Sequence, residues 1–236
     1  MGAPLYAELR FWPELAALLA NGHFRSPARA PRRPPVLLIP GFLAGDASLT
    51  LLAGWLRRRG HQVRLSGTRI NTGCAGRELS RLEDVLADFD EPAILIGQSR
   101  GGTFARALAA RHPSAVAAVV MLGSPVLNTL AVSPGVMRTV RSMARLGDLG
   151  VPGVFSSACR DGSCCTDYYA LLRAPLEQRI VALMIYSRSD AIVDWRACLD
   201  PSATCVEVDG SHCGMSVNAR VYRELERTLE RAEAGA

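Results

Sequence analysis

Three residues in this chain have the types and settings for joint nucleophilic chemistry: a serine framed by glycines, a histidine framed by glycines, and an aspartate closing an apolar run. Ser99 lies in Gly97-Gln98-Ser99-Arg100-Gly101-Gly102, directly after the apolar run Ala93-Ile94-Leu95-Ile96 and before an alanine-rich stretch. A strand that turns sharply into a helix at a serine needs tiny residues two positions before and after it, and the hydroxyl is then held above the sheet edge. Gly97 and Gly101 meet that need. The five-residue pattern arises by chance in a glycine-rich chain, so the strand before it and the helix after it carry the weight.

A serine needs a base to take its proton, and a neutral imidazole suits that task near neutral pH. Of the four histidines, His61 precedes a strand at the wrong end of the sheet, His112 ends a helix beside Pro113, and His23 lies in the N-terminal segment. His212, flanked by Gly210 and Gly214 after the last expected strand, is the candidate base. Asp190, at the end of Ile185-Tyr186-Ser187-Arg188-Ser189-Asp190, is the candidate acid to orient it. Asp194, one helical turn later, is the alternative, and Asp209 is too near His212 in sequence to reach its ring easily. Such a set needs no metal or organic cofactor.

Strands are expected at residues 36–40, 62–66, 93–96, 116–122, 181–186 and 204–208, and helices at 47–59, 76–89, 103–111 and 217–232, with a short helical segment near Trp195. Apolar runs alternating with helices predict an α/β fold: about six strands, mainly parallel, with helices on both faces. Reactive groups in such a sheet gather at the carboxyl ends of the strands, where Ser99, Asp190 and His212 all fall. Residues 1–35 read as an N-terminal helix and a Pro/Arg-rich linker, and 36–236 as one catalytic domain. Within it, 127–178 form a small helical cap or lid insertion. Val136, Val140 and Met143 share one face of a cap helix, opposite Arg138, Arg141 and Arg145. That apolar face is expected to cover the core first, and to line an acyl site or meet a lipid surface second.

The chain order Ser, Asp, His resembles that of the α/β-hydrolase superfamily, and the chain looks most like small bacterial lipases and esterases with a minimal six-stranded sheet. The segments that carry the resemblance are Leu38-Ile39-Pro40-Gly41-Phe42, Gly97-Gln98-Ser99-Arg100-Gly101-Gly102, Ser189-Asp190-Ala191-Ile192-Val193 and Gly210-Ser211-His212-Cys213-Gly214-Met215. Together they extend from about residue 36 to the C-terminus. The resemblance implies an oxyanion hole made by the backbone N–H groups of Phe42 and Arg100, and substrate contacts at Gly41, Phe42, Val193 and Met215. It also implies an acyl-enzyme on Ser99 that water resolves. Arg100 departs from the smaller or neutral residues common after this nucleophile; its side chain could pair with an acidic neighbour or narrow the acyl pocket. Asn71, Gly73 and Cys74 resemble a recurring loop of these lipases and read as structural first, pocket-lining second.

Composition narrows the rest. The net charge of +5 comes entirely from arginine among the basic residues, with no basic cluster interleaved with aromatics, so no nucleic-acid partner is expected. Nor is an integral membrane segment or a signal peptide, which leaves a cytoplasmic location as the expectation. Seven cysteines form two groups, Cys159, Cys164 and Cys165, and Cys198, Cys205 and Cys213, with Cys74 apart. Their spacings fit no common zinc pattern, so buried reduced thiols and no metal ligands are expected. Tyr168, Tyr169, Leu171 and Leu172 suggest a hydrophobic pocket and medium-chain acyl esters as the small-molecule substrate. The alternatives are an acyltransferase or thioesterase with the same three residues, and a non-catalytic binding protein, which would not need all three. Oligomeric state stays open.

Overall fold

Along β1 (Arg33–Ile39), Val36 and Leu38 project to one side of the sheet and Leu37 and Ile39 to the other, and all four are buried. The same alternation runs through β3 (Ala93–Gln98) and β4 (Val116–Leu122), which flank the position of the nucleophile. A strand apolar on both faces has to be covered on both, and in the computed structural model of the protein it is. The structure describes residues 4–26, 33–159 and 162–234.

With β2 (His61–Leu65), β5 (Val181–Tyr186) and β6 (Thr204–Glu207), these strands form a six-stranded sheet in the order β2-β1-β3-β4-β5-β6, every pairing parallel. One face carries α4 (Ala75–Ala87), α5 (Arg100–Arg111) and α7 (Thr166–Arg173), whose Leu79, Phe104 and Tyr168 pack on Leu37, Leu95 and Met121. On the other lie α1 (Phe11–Ala20), α3 (Thr50–Arg58) and α8 (Ala219–Ala234), with Leu18, Trp55 and Tyr222 against Leu38, Ile96 and Val120. A short α2 (Gly22–Arg25) follows α1, and α6 (Pro134–Asp148) lies in the long connection between β4 and β5.

Elements differ from expectation in two instructive places. β1 begins at Arg33, inside the expected linker, because Pro34 and Pro35 precede the point where regular pairing starts at Val36; prolines are tolerated at a strand's start, where they displace no ladder bond. The rest of the expected linker, 27–32, lies outside the described residues. α5 starts at Arg100 rather than 103, since Gly101 and Gly102 are part of the helix: a Cβ on Gly101 would strike the Ile39 carbonyl, and one on Gly102 the Ser124 hydroxyl. Close packing of helix on sheet, rather than turn chemistry, requires those glycines.

On α6, Val136, Val140 and Met143 are half-buried while Arg138, Arg141 and Arg145 are exposed, the segregation its periodicity predicts. The connection is pinned at its far end by the buried Arg106, which pairs with Asp200 at 2.9 Å and donates to the carbonyls of Leu171 and Ala174 at 2.6 Å. No helix among the described residues is long and apolar enough to cross a membrane.

Candidate active site

Ser99 joins β3 to α5 at φ 53° and ψ −121°, a left-handed backbone that costs a non-glycine residue energy. The strain persists because the surroundings leave no alternative. Its N–H donates to the Leu122 carbonyl at 2.7 Å, and a Cβ on Gly97 would collide with the Gly101 backbone. Gly97 is therefore a steric requirement of the turn, and Gly101 of the packing of α5 against β1.

His212 and Asp190 arrive from the ends of β6 and β5. The His212 Nδ1–H donates to Asp190 Oδ2 at 2.6 Å, and Asp190 Oδ1 accepts the N–H groups of Ile192 and Val193 at 2.8 and 2.7 Å. Each carboxylate oxygen thus has a partner, and both the ring and the carboxyl are buried. The imidazole lies over Gly123, where a Cβ would come within 3.1 Å of Nδ1, next to the residue that receives the Ser99 N–H. Gln98, the residue before Ser99, donates from Nε2 to the His212 carbonyl at 3.1 Å. Among the described residues a Ser99 to His212 hydrogen bond is not formed, a looseness common in unliganded sites of this type. Asp194 instead accepts from the Arg196 N–H at 3.1 Å, and Asp209 pairs with Arg10 at 2.8 Å.

Burial is the largest influence on His212 and pushes its pKa down; the charge of Asp190, its hydrogen bond and the Glu8 carboxylate act the other way and together raise it above the ordinary histidine value.

A family model described as the alpha/beta hydrolase fold matches residues 88–150, the stretch from before β3 through α6. Among solved structures, mouse alpha/beta hydrolase domain-containing protein 10 is similar at TM-score 0.60 and 18% identity, over 86% of this chain and 90% of that one. The protein has the α/β-hydrolase fold. Carboxylesterase CesB from Bacillus subtilis is similar at TM-score 0.55 and 14% identity, over 94% of this chain and 96% of that one. The thioesterase domain from the curacin biosynthetic pathway is similar at TM-score 0.54 and 15% identity, over 86% and 93% of the two chains. No curated protein sequence matches at a significant level.

In this fold the turn after β1 lies beside the nucleophile. A Cβ on Gly41 would come within 3.2 Å of the Ser99 Cβ, which sets the backbone of Gly41 and Phe42 against the serine. Among the described residues the Arg100 side chain meets no acidic partner by hydrogen bond. Its guanidinium donates to Asn71 Oδ1 at 2.7 Å, the Asn71 carbonyl at 3.2 Å and the Gly73 carbonyl at 2.5 Å. Asn71 in turn donates from Nδ2 to the Pro40 carbonyl at 2.8 Å, and its N–H to Ala44 at 2.9 Å. Arg100 therefore braces the turn that carries Phe42. Of the other expected substrate contacts, Val193 is 3% exposed within one core and Met215 is fully buried in the other, where it packs against Gly123. The 3₁₀ turn Cys213–Val217 carries Met215 into that core, where a Cβ on Gly123 would meet both its sulfur and the His212 ring.

Sequence reading placed a helix in the N-terminal segment but gave no sign of its contact with the site. Its 3₁₀ turn Leu5–Arg10 and α1 dock on the histidine loop. Glu8 accepts the N–H groups of His212 at 3.1 Å, Cys213 at 2.8 Å and Ala191 at 3.3 Å. Glu14 accepts the Ser211 N–H at 2.8 Å and its hydroxyl at 2.9 Å. Two carboxylates thus gather four backbone donors from the loops that bear His212 and Asp190. Nothing local in the sequence marks them; acidic residues on an amphipathic helix ordinarily face water.

Proposed function

We propose that the protein is a serine carboxylic-ester hydrolase acting through an acyl-enzyme on hydrophobic acyl esters. The observation that carries the reading is the buried His212–Asp190 pair, 2.6 Å long, beside a serine held at positive φ at the end of the central strand. His212 Nε2 takes the proton of Ser99 as its oxygen attacks the ester carbonyl. The tetrahedral intermediate then collapses, the imidazolium giving that proton to the departing alcohol. Water, deprotonated by the same imidazole, releases the acid and regenerates Ser99. Asp190 keeps the Nδ1 proton in place and stabilises the imidazolium.

The backbone N–H groups of Phe42 and Arg100 are the proposed oxyanion donors, each contributing about 100- to 1,000-fold in rate. Gly41 and Phe42 are proposed to meet the substrate directly, with Val193 and Met215 as apolar walls behind the acid and the base. Residues 127–178 act as the cap. Support for an apolar acyl group comes from the half-buried apolar face of α6. Glu8 and Glu14 place the N-terminal segment within the catalytic body, as positioning groups for the histidine loop.

Labelling with a fluorophosphonate followed by peptide mapping tests the assignment. Modification of Ser99, lost in Ser99→Ala, is expected; labelling of a different serine, or none in a folded chain, overturns it.

A further inference from the structure

Outside the serine site the most concentrated reactive chemistry is a group of four thiols at the start of α4. Cys74 is the residue before α4; Cys159 ends the 3₁₀ turn Ser157–Cys159, and Cys164 and Cys165 lie in the 3₁₀ turn Ser163–Cys165 that leads into α7. Their four sulfurs all lie within 4.8 Å of one another. The separations are 3.6 Å for Cys74–Cys165, 3.7 Å for Cys164–Cys165 and 4.0 Å for Cys159–Cys164.

Those spacings discriminate between the ways thiols can cluster. A disulfide needs sulfurs about 2.05 Å apart, and paired bridges would leave the two pairs independent of each other. A tetrahedron of Zn–S bonds of about 2.3 Å has its sulfurs about 3.8 Å apart along every edge. Those three separations lie within about 0.2 Å of that edge, and the remaining ones do not exceed 4.8 Å. We infer that Cys74, Cys159, Cys164 and Cys165 form a tetrathiolate site for one zinc ion, which ties the insertion to the body of the enzyme.

The surroundings are those of a built site. The Arg77 and Gly76 N–H groups donate to the sulfurs of Cys74 and Cys165, as backbone amides at the start of a helix can for a thiolate. Gly76 has no side chain where a Cβ would strike the Cys164 carbonyl, so the glycine permits the two segments to close on each other. Cys74 and Cys165 are buried while Cys164 is exposed, and a cavity of about 370 Å³ lined by Gly76, Arg77 and Cys164 opens beside them, giving an ion a way in. Four sulfurs leave no coordination position for water, so the site is structural. Binding replaces four S–H bonds with four Zn–S bonds and releases four protons, which makes it weaker at low pH. Cys74 follows Gly73, whose carbonyl is held by Arg100, so the ion also steadies the loop beside Ser99.

The test reads metal, not activity, and so stands apart from the esterase proposal. The full chain, purified without chelators, is analysed for zinc by plasma mass spectrometry, and its thiols are counted before and after zinc is removed by a strong chelator. One zinc per chain is expected, with four thiols unreactive until release. Cys74→Ser/Cys165→Ser should lose the metal, and Cys198→Ser should keep it. Should the double variant fail to fold, cobalt(II) titration of the metal-stripped parent replaces it: an intense visible band of tetrahedral thiolate cobalt at one equivalent is expected. A chain without zinc that gives no such band overturns the inference, whether its thiols are free or its mass is lowered by two hydrogens per disulfide.

Discussion

The two loops that flank Ser99 are fixed by opposite chemistry. On the histidine side, carboxylates of Glu8 and Glu14 collect backbone N–H groups of Ala191, Ser211, His212 and Cys213. On the side of the proposed oxyanion hole, the Arg100 guanidinium collects the carbonyls of Asn71 and Gly73. Anions satisfy orphan donors and a cation satisfies orphan acceptors, each by charge-assisted hydrogen bonds that are stronger than neutral ones. The consequence differs because the sources differ. Arg100 belongs to the nucleophile turn itself, so serine and brace move together. Glu8 and Glu14 come from the far end of the chain, so the position of His212 depends on docking of a separate segment.

The contrast can be broken one side at a time. Asp190→Ala should cost most, about 10⁴-fold in kcat, because His212 loses both its orientation and its counter-charge. Glu8→Ala/Glu14→Ala should follow, with kcat down about 10- to 100-fold as the histidine loop loosens. Steady-state kinetics alongside circular dichroism would separate that loss from unfolding. Arg100→Met keeps the backbone N–H and removes only the brace; a fall of about 10-fold is expected, smaller than the loss of a whole oxyanion donor. If the double glutamate variant retained full kcat, the clamp would be a packing feature only.

The smallest effect is the most specific. His212 accepts a proton only when neutral, so kcat/KM should rise with pH through its raised pKa, above the ordinary 6.5. Glu8 contributes to that rise through its charge. Glu8→Gln, which keeps the shape and one set of acceptor lone pairs, should move the acid limb to lower pH and leave the variant relatively more active in acid. An unmoved limb in a pH–rate profile would show that Glu8 does not act on the histidine electrostatically.

What was legible in the sequence was whatever depends on neighbours. Gly97 betrays the turn at Ser99 because its steric demand acts within a few residues, and strand ends locate Asp190 and His212 because apolar runs are local too. Asp190 stands apart from Asp194 and Asp209 for the same reason: it lies at the strand end, while the others cap a turn or pair with Arg10. What stayed hidden joins distant segments. Cys74 reads as part of one loop and Cys164 and Cys165 as part of another, and only the packing of α4 on α7 brings their sulfurs together. Glu8 and Glu14 carry no sequence signal, since their partners are backbone amides that any residue supplies. The burial of Met215 depends on a short 3₁₀ turn that hydrophobic patterning does not resolve.

The central claim is that Ser99 opens an ester, and hydrolysis of p-nitrophenyl esters of graded acyl length, by the parent and by Ser99→Ala under identical conditions, tests it most directly. Turnover by the parent that favours medium over acetyl chains, and falls by about 10⁴- to 10⁶-fold in the variant, is the expected result. A parent inactive on every ester, or a variant as active as the parent, would contradict it.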